Sequence, residues 1–217
     1  MCFLWFLSRT PGLPPIHAIP MYHFLVETYE TEILKVLSVW SSFQDQDLQV
    51  RPHPTDKRGR SVREHMVHQC MSEDAWFKNM FGIDLGMTPL PETESRVEFI
   101  RRYAEAAGKR LAGLQGKDNA WWEETVPFFG VPRSRAWIMV RRIAHTSHHR
   151  GQQMALLRML NREVYSTYGP TADTGGLAAN QASVVYAFRD LNALVADTPK
   201  APLPGTGPKP VSERPDV

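Results

Sequence analysis

His145, His148 and His149 stand within five positions of one another in RIAHTSHHRGQQMALLRML (142–160), in a chain of 217 residues that holds 8 histidines. On a helix turning about 100° per residue, His145 and His149 lie roughly 40° apart, stacked one turn from each other. Two imidazoles so placed, with Cβ atoms about 5–6 Å apart, can converge on one cation at about 2.0–2.1 Å each. Ile138, Gln152 and Leu156 share their face, which is therefore expected to look inward. Gln152 follows His149 by one turn; it can orient a ligand or simply bond to a neighbouring helix. His148 lies about 60° to one side of His145, nearer the edge of the stripe. Thr146 stands where the zinc-protease pattern His-Glu-x-x-His carries its general base, which argues against peptide hydrolysis.

A third ligand has two sources in SVREHMVHQCMSEDAWFKNMFG (61–82). His65 and His68 fall in one arc with Ser61, Ser72, Ala75 and Asn79, an arc without charge on an otherwise charged helix. Wheel geometry alone does not choose between them. Cys70 points roughly opposite His68 and is not counted as a ligand.

The elements that carry these residues are helical. In YHFLVETYETEILKVLSVWSSF (22–43), Leu25, Tyr29, Ile33, Val36, Leu37 and Trp40 recur at three- and four-residue steps. The second segment opens on a capping box, Ser61 with Glu64, and ends at Gly82. SRVEFIRRYAEAAGKRLAGLQG (95–116) opens on Ser95 with Glu98 and closes on Gly116, and a fourth helix is expected over about 134–161. Little alternates with period two, so no strand is predicted. The expectation is an all-α fold, an antiparallel four-helix bundle, with an extra C-terminal helix in LAANQASVVYAFRDLNALVA (177–196) and disordered tails. The bundle domain spans 21–196. Residues 1–20 read as a disordered extension or as lying upstream of a true start at Met21, and 197–217 as a Pro-rich disordered tail.

A formal net charge of +2 is too near neutral to suggest a nucleic-acid partner, and no segment is long and apolar enough for a membrane. Cys2 and Cys70 form no disulfide framework, which favours a cytoplasmic setting. The tryptophans 40, 76, 121, 122 and 137 read as core or homodimer-interface aromatics. The pairs Arg101–Arg102 and Arg141–Arg142 read as solvated faces or partners of glutamates on neighbouring helices, with binding of a carboxylate or phosphate as the alternative. YGPTADTGG (168–176) lacks the Gly-Lys-Ser/Thr of a phosphate loop and reads as a glycine-rich connection, with a lid as the alternative.

A helical bundle with VREHMVHQCMSEDAWF in its second helix and RIAHTSHHRGQQMALLRML in its fourth resembles the DinB/YfiT-like superfamily, over about 22–160. The resemblance implies one divalent metal ion, held by a histidine of the second helix and the His-x-x-x-His of the fourth. Aligning HQCMSEDAWF to the family's second helix selects His68 over His65, beside His145 and His149. It also implies an enzyme that uses a low-molecular-weight thiol as co-substrate, such as a thiol-dependent S-transferase acting on a small electrophile. A metal-dependent hydrolase of a small substrate and a non-catalytic metal-binding or ligand-sensing bundle are the alternatives. Three neutral imidazoles suit zinc, nickel or iron and leave a coordination place open. A thiol entering that place is deprotonated, and a water there becomes far more acidic.

Overall fold

Ser61 and Ser95 start their helices as their sequence contexts predict. The Ser61 hydroxyl accepts from the Glu64 amide at 3.2 Å, and the Glu64 carboxylate accepts in return from the Ser61 amide at 2.9 Å. Ser95 and Glu98 form the same reciprocal box. At the far end of the second helix Gly82 takes the left-handed conformation, φ 68°, that a residue with a Cβ adopts only at a cost. In a computed structural model, residues 21–204 are described apart from 89, 91–92, 178, 180 and 196–197, so the expectations for 1–20 and 205–217 fall outside it.

Four long helices result: α1 His23–Ser42, α2 Val62–Phe81, α3 Arg96–Leu114 and, after a short α4 Asn119–Glu123, α5 Arg135–Met159. The fold is the expected all-α four-helix bundle, although two of its packed helix pairs are parallel where an antiparallel arrangement was expected. Around it, α1 packs against α3 and α5, and α2 against the same two. Contacting residues give the directions. Tyr29 meets Arg110 while Trp40 meets Phe99, and Met80 meets Arg135 while His65 meets His149, so α1/α3 and α2/α5 are antiparallel. Glu32 meets Arg150 and Trp40 meets Gln153, so α1 and α5 run the same way, as do α2 and α3. This is possible because the 82–95 segment is long enough to run back along the bundle. At roughly 3.3 Å per residue it can span more than the ~30 Å of α2. Its end is fixed where α2 begins, by an Arg63–Glu94 ion pair at 2.7 Å.

Apolar stripes from all four helices close the core, among them Ile33, Leu37, Trp40, Met66, Phe77, Phe99, Ile138 and Leu157, each at most 0% exposed. Each such burial is worth about 1.5–3 kcal/mol.

Three further differences from the sequence expectations have physical causes. Thr125–Phe128 (β1) and Val131–Ser134 (β2) pair antiparallel, Thr125 opposite Ser134 and Phe128 opposite Val131. Pro127 and Pro132 break the alternation by which strands are read, yet they sit opposite each other in a two-stranded ribbon whose outer edges need no donors. The extra C-terminal helix shrinks to α6, Leu191–Val195. Upstream of it the chain is tied by backbone bonds to partners elsewhere, Ser166 amide to Val185 carbonyl and Ala187 amide to the Ser38 hydroxyl, instead of closing helical turns. Residues 198–201, assigned to the tail, lie against the bundle: Tyr165 donates to the Ala201 carbonyl at 2.8 Å and Lys200 to that of Ser41 at 3.1 Å.

Candidate metal centre

Antiparallel packing of α2 on α5 brings their histidines together. His68 Nε2 lies 3.4 Å from His145 Nε2, which lies 3.2 Å from His149 Nε2. The ligand atoms of the three all fall within 4.8 Å of one another. Two imidazole nitrogens bound at 2.0–2.1 Å to one tetrahedral ion are roughly 3.3–3.4 Å apart, so the spacing fits a cation among them.

Protonation supports that fit. The desolvated rings resist charge: burial, then the Arg142 guanidinium, lowers His145 to about 4, and burial, then His145, lowers His149 to about 3. Burial also lowers His68, with Arg60 and Arg142 adding to it. At neutral pH all three rings are uncharged, the form that ligates. Arg142 Nη2 lies 2.7 Å from His145 Nδ1, and an arginine only donates. Without a cation, then, His145 carries its proton on Nε2, and that single N–H faces two acceptors at 3.2 and 3.4 Å. It can point straight at only one. At least one of the two contacts therefore lacks a well-aimed proton, and a cation among the three nitrogens would satisfy the cluster.

His65 is buried beside the cluster, its ring centroid 5.4 Å from that of His149, but it is not among the three that converge. Burial lowers it to about 4, and its Nδ1 has no partner among the described residues. His148 is exposed, as its place at the edge of the stripe implies. Gln152, expected to face inward, is exposed as well; the buried stripe of α5 runs through Arg142, Thr146, Gln153 and Leu157. At about 100° per residue its centre lies on the far side of His149 from His145, and Gln152 falls just outside His145. Gln153 takes the inward place and accepts from Trp40 Nε1 at 3.2 Å. Cys70 is buried, and burial pushes its thiol up to about 12, so it stays protonated.

Sequence reasoning missed Arg142. Read as half of a solvated or ion-paired couple, it is 0% exposed, stacked over Trp76 at 5.0 Å and donating to Ser72, His145 and Thr146. Its spacing of three from His145 was a usable signal, since residues three apart touch on a helix. The β1–β2 hairpin was missed too, and with it a cavity of about 570 Å³ beside His68 and His145, walled by Trp76, Phe128 and Phe129. A larger cavity of about 900 Å³ lies between α5 and the 167–177 segment, but its lining holds no histidine, cysteine or carboxylate among the described residues. The 168–176 segment is a structured connection, held by Asp173 bonds to the Val164 amide and Arg158.

A bundle of this topology with three convergent histidines on α2 and α5 defines a class, and the sequence places the chain within it. Residues 35–176 match the DinB family, and the chain belongs to that family. Its fold is similar to a DinB-like protein from Bacillus cereus (TM-score 0.60, 18% identity, covering 67% of this chain and 97% of that one). It is also similar to the DinB-like YjoA of Bacillus subtilis (0.55, 11%, 67% and 97%). A third likeness is to YfiT of Bacillus subtilis (0.52, 15%, 70% and 95%), described as a probable metal-dependent hydrolase with an unusual four-helix bundle topology. No curated protein matches the sequence. No described helix is long and apolar enough to cross a membrane.

Proposed function

We propose that this DinB-family chain is a metal-dependent enzyme that holds one divalent ion, zinc, nickel or iron, on His68, His145 and His149 and acts on a small molecule. The observation that carries this reading is the convergence of three uncharged imidazole nitrogens at the edge of a cavity large enough for a ligand. Such an ion, when bound, supplies Lewis acidity, making a thiol or a water reactive at neutral pH. The preferred reading is a transferase that couples a low-molecular-weight thiol to a small electrophile.

The chain's own residues do the rest. The three rings stay neutral because they are desolvated, with Arg142 adding to the effect at His145 and the neighbouring histidines at His149. Trp76 and Phe128 line the approach and keep bulk water from one side of it. Before an ion binds, Arg142 fixes the plane of His145 by donating to Nδ1. The buried Cys70 thiol, held protonated by its burial, is no nucleophile.

Hydrolysis is the second reading, favoured by the likeness to YfiT, a probable metal-dependent hydrolase. One experiment separates them. Cobalt-substituted protein is titrated with small thiols while its ultraviolet and visible absorption is followed. New sulfur-to-cobalt absorption that saturates supports the transferase. Unchanged spectra at saturating thiol eliminate it and leave hydrolysis. Metal content of one ion per chain, lost in His145→Ala, is the prior condition for both.

A further inference from the structure

The cavity beside the histidines has walls of a definite chemistry. Trp76 from α2 meets Phe128 edge-on at 5.2 Å and Phe129 at 6.1 Å, and the two phenylalanines meet each other edge-on at 4.8 Å. Arg141 lines the same cavity, is exposed, and pairs with no carboxylate among the described residues. Among the described residues, no acidic one lines it. The second guanidinium, Arg142, lies just beneath, over the Trp76 ring. The field in the cavity is positive before any metal arrives, and a divalent ion on the histidines adds to it.

Phe129 sharpens the picture. It and Gly130 form the two-residue turn of the hairpin, with φ of 47° and 84°. Positive φ at both central positions is a turn for Asn, Asp or Gly, and phenylalanine is strained there. Its ring is also 74% exposed, so the strain is not offset by burial in the core. Neither the turn nor the core calls for an aromatic at this position. The cavity does, since the ring extends the wall that Trp76 and Phe128 begin. A strained residue at the mouth of a site is a sign of use.

We propose that this cavity binds a small aryl carboxylate, its ring against the Trp76–Phe128–Phe129 wall, its carboxylate on Arg141 and its other end toward His68 and His145. The volume of about 570 Å³ lies within the usual 300–1,000 Å³ of small-molecule sites. The reactive end of the ligand rests on the metal-enzyme reading; the binding of ring and carboxylate does not.

The test uses phenylacetate, its neutral isostere phenylacetamide, and acetate. Each is titrated into the full-length protein, metal-free and zinc-loaded, by calorimetry and tryptophan fluorescence, with zinc content measured in the same samples. Phenylacetate is expected to bind at least tenfold more tightly than either of the others, with and without zinc. Arg141→Gln should erase the margin over phenylacetamide while zinc is still bound. Phe129→Asn should weaken phenylacetate several-fold and leave the unfolding midpoint equal or higher, because asparagine suits the turn. Equal binding of acid and amide overturns the proposal. So does acetate binding as tightly as phenylacetate, which would mean a carboxylate merely ligating the ion. A protein that takes up no zinc yet keeps the phenylacetate margin would instead overturn the metal reading and leave this one standing.

Discussion

Two polar clusters sit between the helices, and they are built on opposite terms. Around Glu73, which is 0% exposed, both carboxylate oxygens find partners: they accept from Tyr29 at 2.5 Å and Tyr103 at 2.9 Å, and Arg110 bridges the carboxylate to Asp74, at 3.4 and 2.6 Å. Burial alone would raise the Glu73 pKa, but Arg110, Arg142 and the two hydroxyls outweigh it and hold it below its ordinary value. Around His145 the single Nε2 proton cannot be aimed at both neighbouring rings, and one flank opens on a cavity. A satisfied buried network ties elements together, here α1, α2 and α3. An unsatisfied one at the edge of a cavity is waiting for something, and its residues contribute little to holding the fold.

The comparison breaks most visibly through the metal. His149→Ala removes one of three ligands and should abolish stoichiometric zinc binding, a loss beyond the 10–100-fold typical of outer-shell changes. Its metal-free unfolding midpoint should stay close to that of the unmodified protein. Glu73→Ala should do the reverse. Stripping one partner from a buried ion pair costs about 3–5 kcal/mol, and the variant should lose much of its stability in urea. If the two losses change places, the division between a structural and a functional cluster is wrong.

How each cluster could be read in advance differs for a physical reason. The metal cluster was legible because helical spacing stacks His145 on His149 and metal ligation demands few residue types. The bundle was legible because Ile33, Leu37 and Trp40 keep a helical period that nothing interrupts. The Glu73 network was not: it joins residues 29, 73, 103 and 110, and long-range partners of a charged side chain leave no periodic trace. Gln152 and Gln153 show the limit on the site itself. Adjacent residues of one type differ by about 100° on the wheel, and only the packing of α5 on α1 and α2 decides which of them is inside. The hairpin was hidden by Pro127 and Pro132, and with it the aromatic wall of the cavity.

Arg142 sharpens the comparison because it touches both clusters, acting electrostatically on Glu73 and directly on His145. For His145 to ligate through Nε2, its proton must sit on Nδ1, where Arg142 offers a second donor instead of the usual acceptor. Arg142→Gln would place a carbonyl oxygen within reach of that N–H and remove a positive charge beside the cation. Zinc affinity, measured by chelator competition, should rise by roughly tenfold, the lower end of outer-shell effects. A fall in affinity, with the midpoint unchanged, would show that the guanidinium positions the ring in the metal-bound protein too.

Acid distinguishes the clusters by a smaller effect. His65, His145 and His149 have folded-state values of about 4, 4 and 3, against 6.5 for a free histidine. Above pH 6.5 the rings are neutral folded or unfolded, so their contribution to stability is whole. Between pH 6.5 and about 4 the unfolded chain takes up protons that the folded chain refuses, and stability must fall with pH. Urea unfolding of the metal-free protein at steps across that window should show the decline. His65→Phe should make it shallower, since the substitution removes one titrating ring from beside His149 without touching the three convergent nitrogens. Should the slope be identical in that variant, His65 is protonated equally in both states. Its burial against His149 would then count for nothing in the acid response of the fold.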